Sequence, residues 1–152
     1  MSGVLDAGQF AAAFTARFGQ HPRLLRAPAR VNIIGEHTDY NGGLVLPVAT
    51  APHTWVAIAP CAGTTLTIYS ANFAGTAQFD LKAPLAPGVT DWSAYAGAVL
   101  RVLLETGVSI KGANVLIQGD IPIGGGLSSS ASFEVALALA LTAVASSQLR
   151  SR

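Results

Sequence analysis

Residues 26–47 read RAPARVNIIGEHTDYNGGLVLP, a dense polar block set between two short apolar runs. Arg30, Asn32, Glu36, His37, Asp39 and Asn41 fall within it, and Gly35, Gly42 and Gly43 loosen the backbone around them. Segments selected only for turning favour Gly, Pro, Asn, Asp and Ser, each for a backbone reason. An acid, an imidazole and a second acid at positions 36, 37 and 39 exceed that need, and loops on a rigid scaffold are where binding groups concentrate. The competing reading is an ordinary polar hairpin loop. Both readings predict extended flanks. Residues 24–27 and 30–34 are expected as short strands, because Pro22 and Pro28 disfavour helical geometry in the residue before each of them. Residues 44–47 are expected to return as another.

Working outward, Phe10, Phe14 and Phe18 recur every four residues, which predicts a helix over 6–18 that Gly19 ends. Downstream, residues 54–59, 65–70 and 77–81 read as strands. Asp91 is a candidate N-cap for a helix over 92–106, with Trp92, Ala96, Val99, Leu100, Leu103 and Leu104 on one face and Gly107 as its stop. Residues 108–118 predict a further strand. Strands that precede and separate helices without regular βαβ alternation predict an α+β fold, a mixed sheet with helices packed against one face. Asn72 and Phe73, in a connection, and Trp92 and Tyr95, on the helix, are candidates to approach a nucleotide, although core or loop roles explain such residues equally.

A second polar block follows. Residues 119–131 read GDIPIGGGLSSSA and lead into an Ala/Leu-rich helical segment over 133–149. Adjacent glycines let main-chain N–H groups turn toward one point, and the first turn of a helix has unpaired N–H groups and a partial positive potential. Such a junction favours phosphate. Ser128, Ser129 and Ser130 add hydroxyls that can cap the helix, donate to phosphate oxygens or reach a magnesium ion. The block lacks the Lys of the GxxxxGK[ST] loop and the third Gly of a dinucleotide fingerprint. Residues 126–130, GLSSS, approach the G-x-S-x-G nucleophile elbow, so a hydrolase using Ser128 with His37 and Asp39 is a competing reading. The following helix is apolar nearly all round and is expected to be buried, with Glu134 its charged exception, either a surface residue or a partner behind the site.

Residues 30–41, RVNIIGEHTDYN, resemble the signature of galactokinases, members of the GHMP superfamily of small-molecule kinases, and residues 122–136, PIGGGLSSSASFEVA, are similar to that family's ATP-phosphate motif. The resemblance implies an N-terminal domain like domain 2 of ribosomal protein S5, over residues 1–152, with the galactokinase signature at 26–47 and the phosphate motif at 120–136. It implies ATP and Mg2+ as cofactors and transfer of the γ-phosphate to the C1 hydroxyl of galactose. By the same resemblance Glu36, His37 and Asp39 bind galactose hydroxyls, and Arg30 lies beside the reacting hydroxyl as the catalytic residue. Gly124, Gly125, Gly126, Leu127, Ser128, Ser129 and Ser130 hold the nucleotide, with Ser130 reaching the metal. The family's catalytic Asp, magnesium-binding Glu and C-terminal domain have no counterpart in these 152 residues, so the expectation is a truncated form without turnover. A non-catalytic sensor of galactose and ATP, and a kinase acting on N-acetylgalactosamine, are the alternatives.

Composition narrows the rest. Nine basic and eight acidic residues give a net charge of +1, and the absence of any Lys/Arg cluster argues against nucleic acid as a partner. One cysteine, Cys61, allows no internal disulfide, which suits a reducing cytoplasm. No secretion signal or membrane span is expected, since the longest apolar run, residues 135–144, is too short to cross a bilayer. Charged residues are 11% of the chain and hydrophobic ones 51%, against about 25% charged in ordinary soluble domains. Two explanations stand: an apolar surface meant for a missing C-terminal half, or an Ala-rich compositional bias.

Overall fold

The computed structural model describes residues 6–35, 38, 41–83, 91–122 and 125–149. Glu36, His37, Asp39 and Gly124 lie outside the described residues, as does the loop around Pro84 and Pro87. Along the chain come α1 (Ala7–Phe18), β1 (Arg23–Ile34), β2 (Leu46–Pro60), β3 (Thr65–Ser70), β4 (Gly75–Asp80), α2 (Trp92–Glu105), β5 (Ala113–Gly119) and α3 (Ser129–Leu149). The strands form one sheet in the order β1-β2-β5-β3-β4, antiparallel except for the β3–β5 pair, so the sheet is mixed and the fold α+β.

The two short segments expected on either side of Pro28 form a single strand, and so do those expected at 44–47 and 54–59. Pro28 has no N–H to give a ladder, and the structure absorbs it with a register irregularity between Pro28 and Arg30 instead of a break. β5 starts at Ala113, not at residue 108, because residues 107 and 108 finish α2. Gly107, at φ 83°, donates its N–H to Leu104 O at 3.0 Å, and Val108 donates to Leu103 O at 2.9 Å. These are the paired bonds of a glycine-terminated helix end.

Alternation along the strands makes two cores. Val56, Ile58, Leu66, Ile68, Val115 and Ile117 point to one face and pack against α2 and α3. Ala57, Ala59 and Leu116 point to the other and receive Phe10 and Phe14 of α1. The expectation of helices on a single face is therefore corrected: α1 lies opposite the other two. Small alanines at 57 and 59 leave room for its aromatic stripe, and both phenylalanines are at most 2% exposed. Asp6 Oδ1 accepts the Gln9 N–H at 2.9 Å and caps α1, while Gly19, at φ 68°, ends it.

The apolar character of α3 is only half used. Ala136, Leu137, Ala140, Leu141 and Val144 are buried against the sheet and α2, whereas Val135 and Leu139 remain 52% and 49% exposed. The helix has an apolar far side that nothing among the described residues covers. Among those residues no helix is long and apolar enough to cross a membrane.

Candidate functional site

β2 pairs with β5 only from Thr54 onward. The distal parts of β1 and β2 are therefore a two-stranded extension of the sheet, and the polar block hangs from its end. Thr38 organises the described part of that loop. Its Oγ1 donates to Gly35 O at 2.7 Å and lies 3.2 Å from Leu44 O, and its carbonyl accepts from Asn41 and Gly43 N–H at 3.0 and 2.9 Å. Gly35 holds φ 97°, and a Cβ there would meet Leu44 O at 2.5 Å, so this position needs glycine for both conformation and space. Ile33, Ile34, Leu44 and Leu46 are each more than half exposed around the same loop.

Arg30 sits on β1 at the root of this extension, half-buried. Its main-chain N–H donates to Leu127 O at 3.2 Å, and its Nη1 donates to Ser128 Oγ. Two residues 98 positions apart, one from each polar block, are thus hydrogen-bonded to each other. Ser132, in the first turns of α3, ties the same junction into the core. Its hydroxyl donates to Ala27 O at 2.9 Å and pairs with Thr54 Oγ1 at 2.9 Å, and both Ser132 and Thr54 are 4% exposed.

α3 begins at Ser129, four residues earlier than periodicity predicts, because the serines form its first turn. Before it, Gly126 takes φ 70° with open space where a Cβ would stand, and Ser128 itself holds φ 55°. Gly125 and Gly126 are exposed, Leu127, Ser128 and Ser129 half-buried, and Ser130 exposed. The turn thus offers main-chain N–H groups and hydroxyls to an anion at the positive end of a 21-residue helix.

Ser129 and Ser130 also line a cleft of about 320 Å³ with aromatic walls, Phe73, Trp92, Tyr95 and Phe133. The Phe73 and Trp92 rings are parallel, 1° apart in tilt with centroids 6.4 Å apart. Asn72 and Asp91 stand at the same cleft. Asp91 caps α2, accepting from Ser93 Oγ at 2.6 Å and Ser93 N–H at 2.8 Å, and these bonds hold its carboxyl below the usual carboxylate range. The four nucleotide candidates scattered over residues 72–95 are therefore brought together beside the serine turn.

Two features escaped sequence reasoning. Asp120 is clamped to β2, its Oδ1 accepting the His53 N–H at 2.7 Å and its own N–H donating to His53 O at 3.2 Å. The Thr54–Ser132 pair is buried and polar, and nothing in the local pattern of either residue announces it. Ser128, the nucleophile of the hydrolase reading, has its hydroxyl engaged by Arg30, a cation and not a base. Glu134 is half-buried beside Val102 and Val135 in a groove between α2 and α3.

A mixed sheet carries a glycine-serine turn at the head of a helix that is buried on one side only, and the N-terminal domain of the GHMP kinases matches residues 94–152. The galactokinase galactose-binding signature matches residues 12–60. By these two matches the chain resembles the N-terminal portion of the galactokinases. Galactokinases of Chloroflexus aggregans and Streptomyces coelicolor are 44% and 40% identical to it, over 83% and 91% of its length. It covers 33% and 36% of theirs, so it spans about a third of the length of these relatives. Lactococcus lactis galactokinase complexed with galactose has a TM-score of 0.78 at 36% identity, over 86% of this chain and 35% of that one. Methanococcus jannaschii mevalonate kinase, at 20% identity and a TM-score of 0.68 over 81% of this chain and 40% of that one, shares the fold.

Proposed function

We propose that the chain is the part of a galactose kinase that holds the nucleotide and the sugar, in a protein that transfers the γ-phosphate of ATP to the C1 hydroxyl of galactose. The observation that carries this reading is the bond from Arg30 to Ser128, which joins the sugar signature to the glycine-serine turn. Phosphoryl transfer asks a protein mainly for alignment and charge neutralisation. The turn from Gly124 to Ser130 cradles the phosphates, and the aromatic cleft beside it takes the base. Arg30, permanently charged, offsets negative charge that develops between the two substrates.

The donor set also fits a magnesium ion. Ser130 is exposed at the turn, where its hydroxyl would reach an ion beside the phosphates. That suits a hard cation held mainly by phosphate oxygens and water. Magnesium, when bound, neutralises phosphate charge. Glu36, His37 and Asp39 read the sugar: hydrogen bonds to charged groups contribute about 1.5–3 kcal/mol each, and an epimer leaves one of them unpaired. The exposed apolar residues around the β1–β2 loop and on α3 are covered, in this reading, by the remaining length of a protein about three times longer.

Binding is the readout for a chain of this span. Calorimetry with the 152-residue protein should detect MgATP and galactose, with glucose about ten-fold or more weaker than galactose. Absence of binding by both substrates, or equal affinity for the two sugars, refutes the reading.

A further inference from the structure

Asn72 stands where β3 ends and its pairing with β5 runs out. The backbone ladder between them closes at Ser70 and Ile117, and Ala71 N–H still donates to Ile117 O at 2.9 Å. Beyond that the main chain turns away and the Asn72 side chain takes over. Its Nδ2 donates to Gly119 O at 2.8 Å, and its Oδ1 accepts the Gly119 N–H at 2.8 Å. A side-chain amide carries a donor and an acceptor with the spacing of a peptide, so it serves here as one more rung.

We propose that Asn72 is a positioning residue for the nucleotide, fixing the aromatic wall of the cleft relative to the turn that holds the phosphates. The proposal rests on the nucleotide reading above. On one side of the rung the next residue is Phe73, whose ring lies parallel to Trp92 although the residue is 54% exposed. On the other side Gly119 leads directly into Asp120, clamped to His53, and then into the glycine turn. A ligand that spans base and phosphates meets both walls at once and gains from their being held in register. Asn72 is itself exposed, so water replaces its bonds when it is removed and the fold persists.

The test uses Asn72→Ala in a Trp55→Phe background, which leaves Trp92 as the one indole of the chain. In the ligand-free protein, acrylamide quenching of Trp92 should rise about two-fold as Phe73 loses its place. Affinity for MgATP should fall about ten-fold, and affinity for inorganic tripolyphosphate by less than about two-fold. Unchanged quenching and MgATP affinity overturn the proposal, and so does an equal loss for tripolyphosphate, which would mean general loosening of the phosphate turn. If the parent protein binds no MgATP, the nucleotide reading fails and this role with it. If the parent binds and Asn72→Ala is unshifted, this role fails alone.

Discussion

Replacing Ser132 by alanine tests the junction between the polar blocks. The hydroxyl is 4% exposed and serves Ala27 O and Thr54 Oγ1, each at 2.9 Å. Ala27 O keeps access to the β1–β2 ladder, so its loss is the ordinary net worth of a hydrogen bond, about 1 kcal/mol. Thr54 is left with a hydroxyl deprived of this partner in a dry environment, at a cost of about 1–3 kcal/mol. The sum is roughly 2–4 kcal/mol, and at about 3 °C per kcal/mol for a chain of this size the midpoint of thermal unfolding should fall by roughly 6–12 °C. Thr54→Val removes the stranded hydroxyl while keeping the branch. The double variant Ser132→Ala, Thr54→Val should therefore be at least about 1 kcal/mol more stable than the two single effects added together. Thermal and urea unfolding measure both quantities. A shift below about 2 °C for Ser132→Ala, or strict additivity in the double variant, refutes the assignment of the pair as a buried rivet.

Other substitutions separate the site from its scaffold. Gly35→Ala forces a Cβ to within 2.5 Å of Leu44 O at φ 97° and should cost about 1–3 kcal/mol, with galactose affinity falling more than MgATP affinity in calorimetry. Phe14→Ala removes a fully buried ring between α1 and the sheet and should destabilise by about 3–5 kcal/mol in urea unfolding, leaving the MgATP to tripolyphosphate affinity ratio unchanged. Asp91 has its folded-state carboxyl below the ordinary value of 3.8. Its contribution is therefore complete above that value and is lost as pH falls through the lower folded value. Asp91→Asn should flatten the acid limb of the stability profile there; an unchanged limb would show that the cap does not titrate with folding.

The local elements were legible in residues that act on their own neighbours. Phe10 and Phe14 every fourth position, Asp91 as a cap, and Gly19 and Gly107 as stops placed α1 and α2 to within a residue or two, because capping and periodicity are properties of a few consecutive positions. The α+β class was read from the order of strands and helices, and resemblance to the galactokinases implied the same fold. What the chain alone left open was set by distance in space: α1 on the opposite face from α2 and α3, the continuous strands across Pro28, and Asn72 standing in for a backbone rung. The bond between Arg30 and Ser128 belongs to the same class, since strand pairing and helix docking close the 98 positions that separate them. A hydrogen bond acts over about 3 Å, and only the folded sheet determines which distant groups come that near.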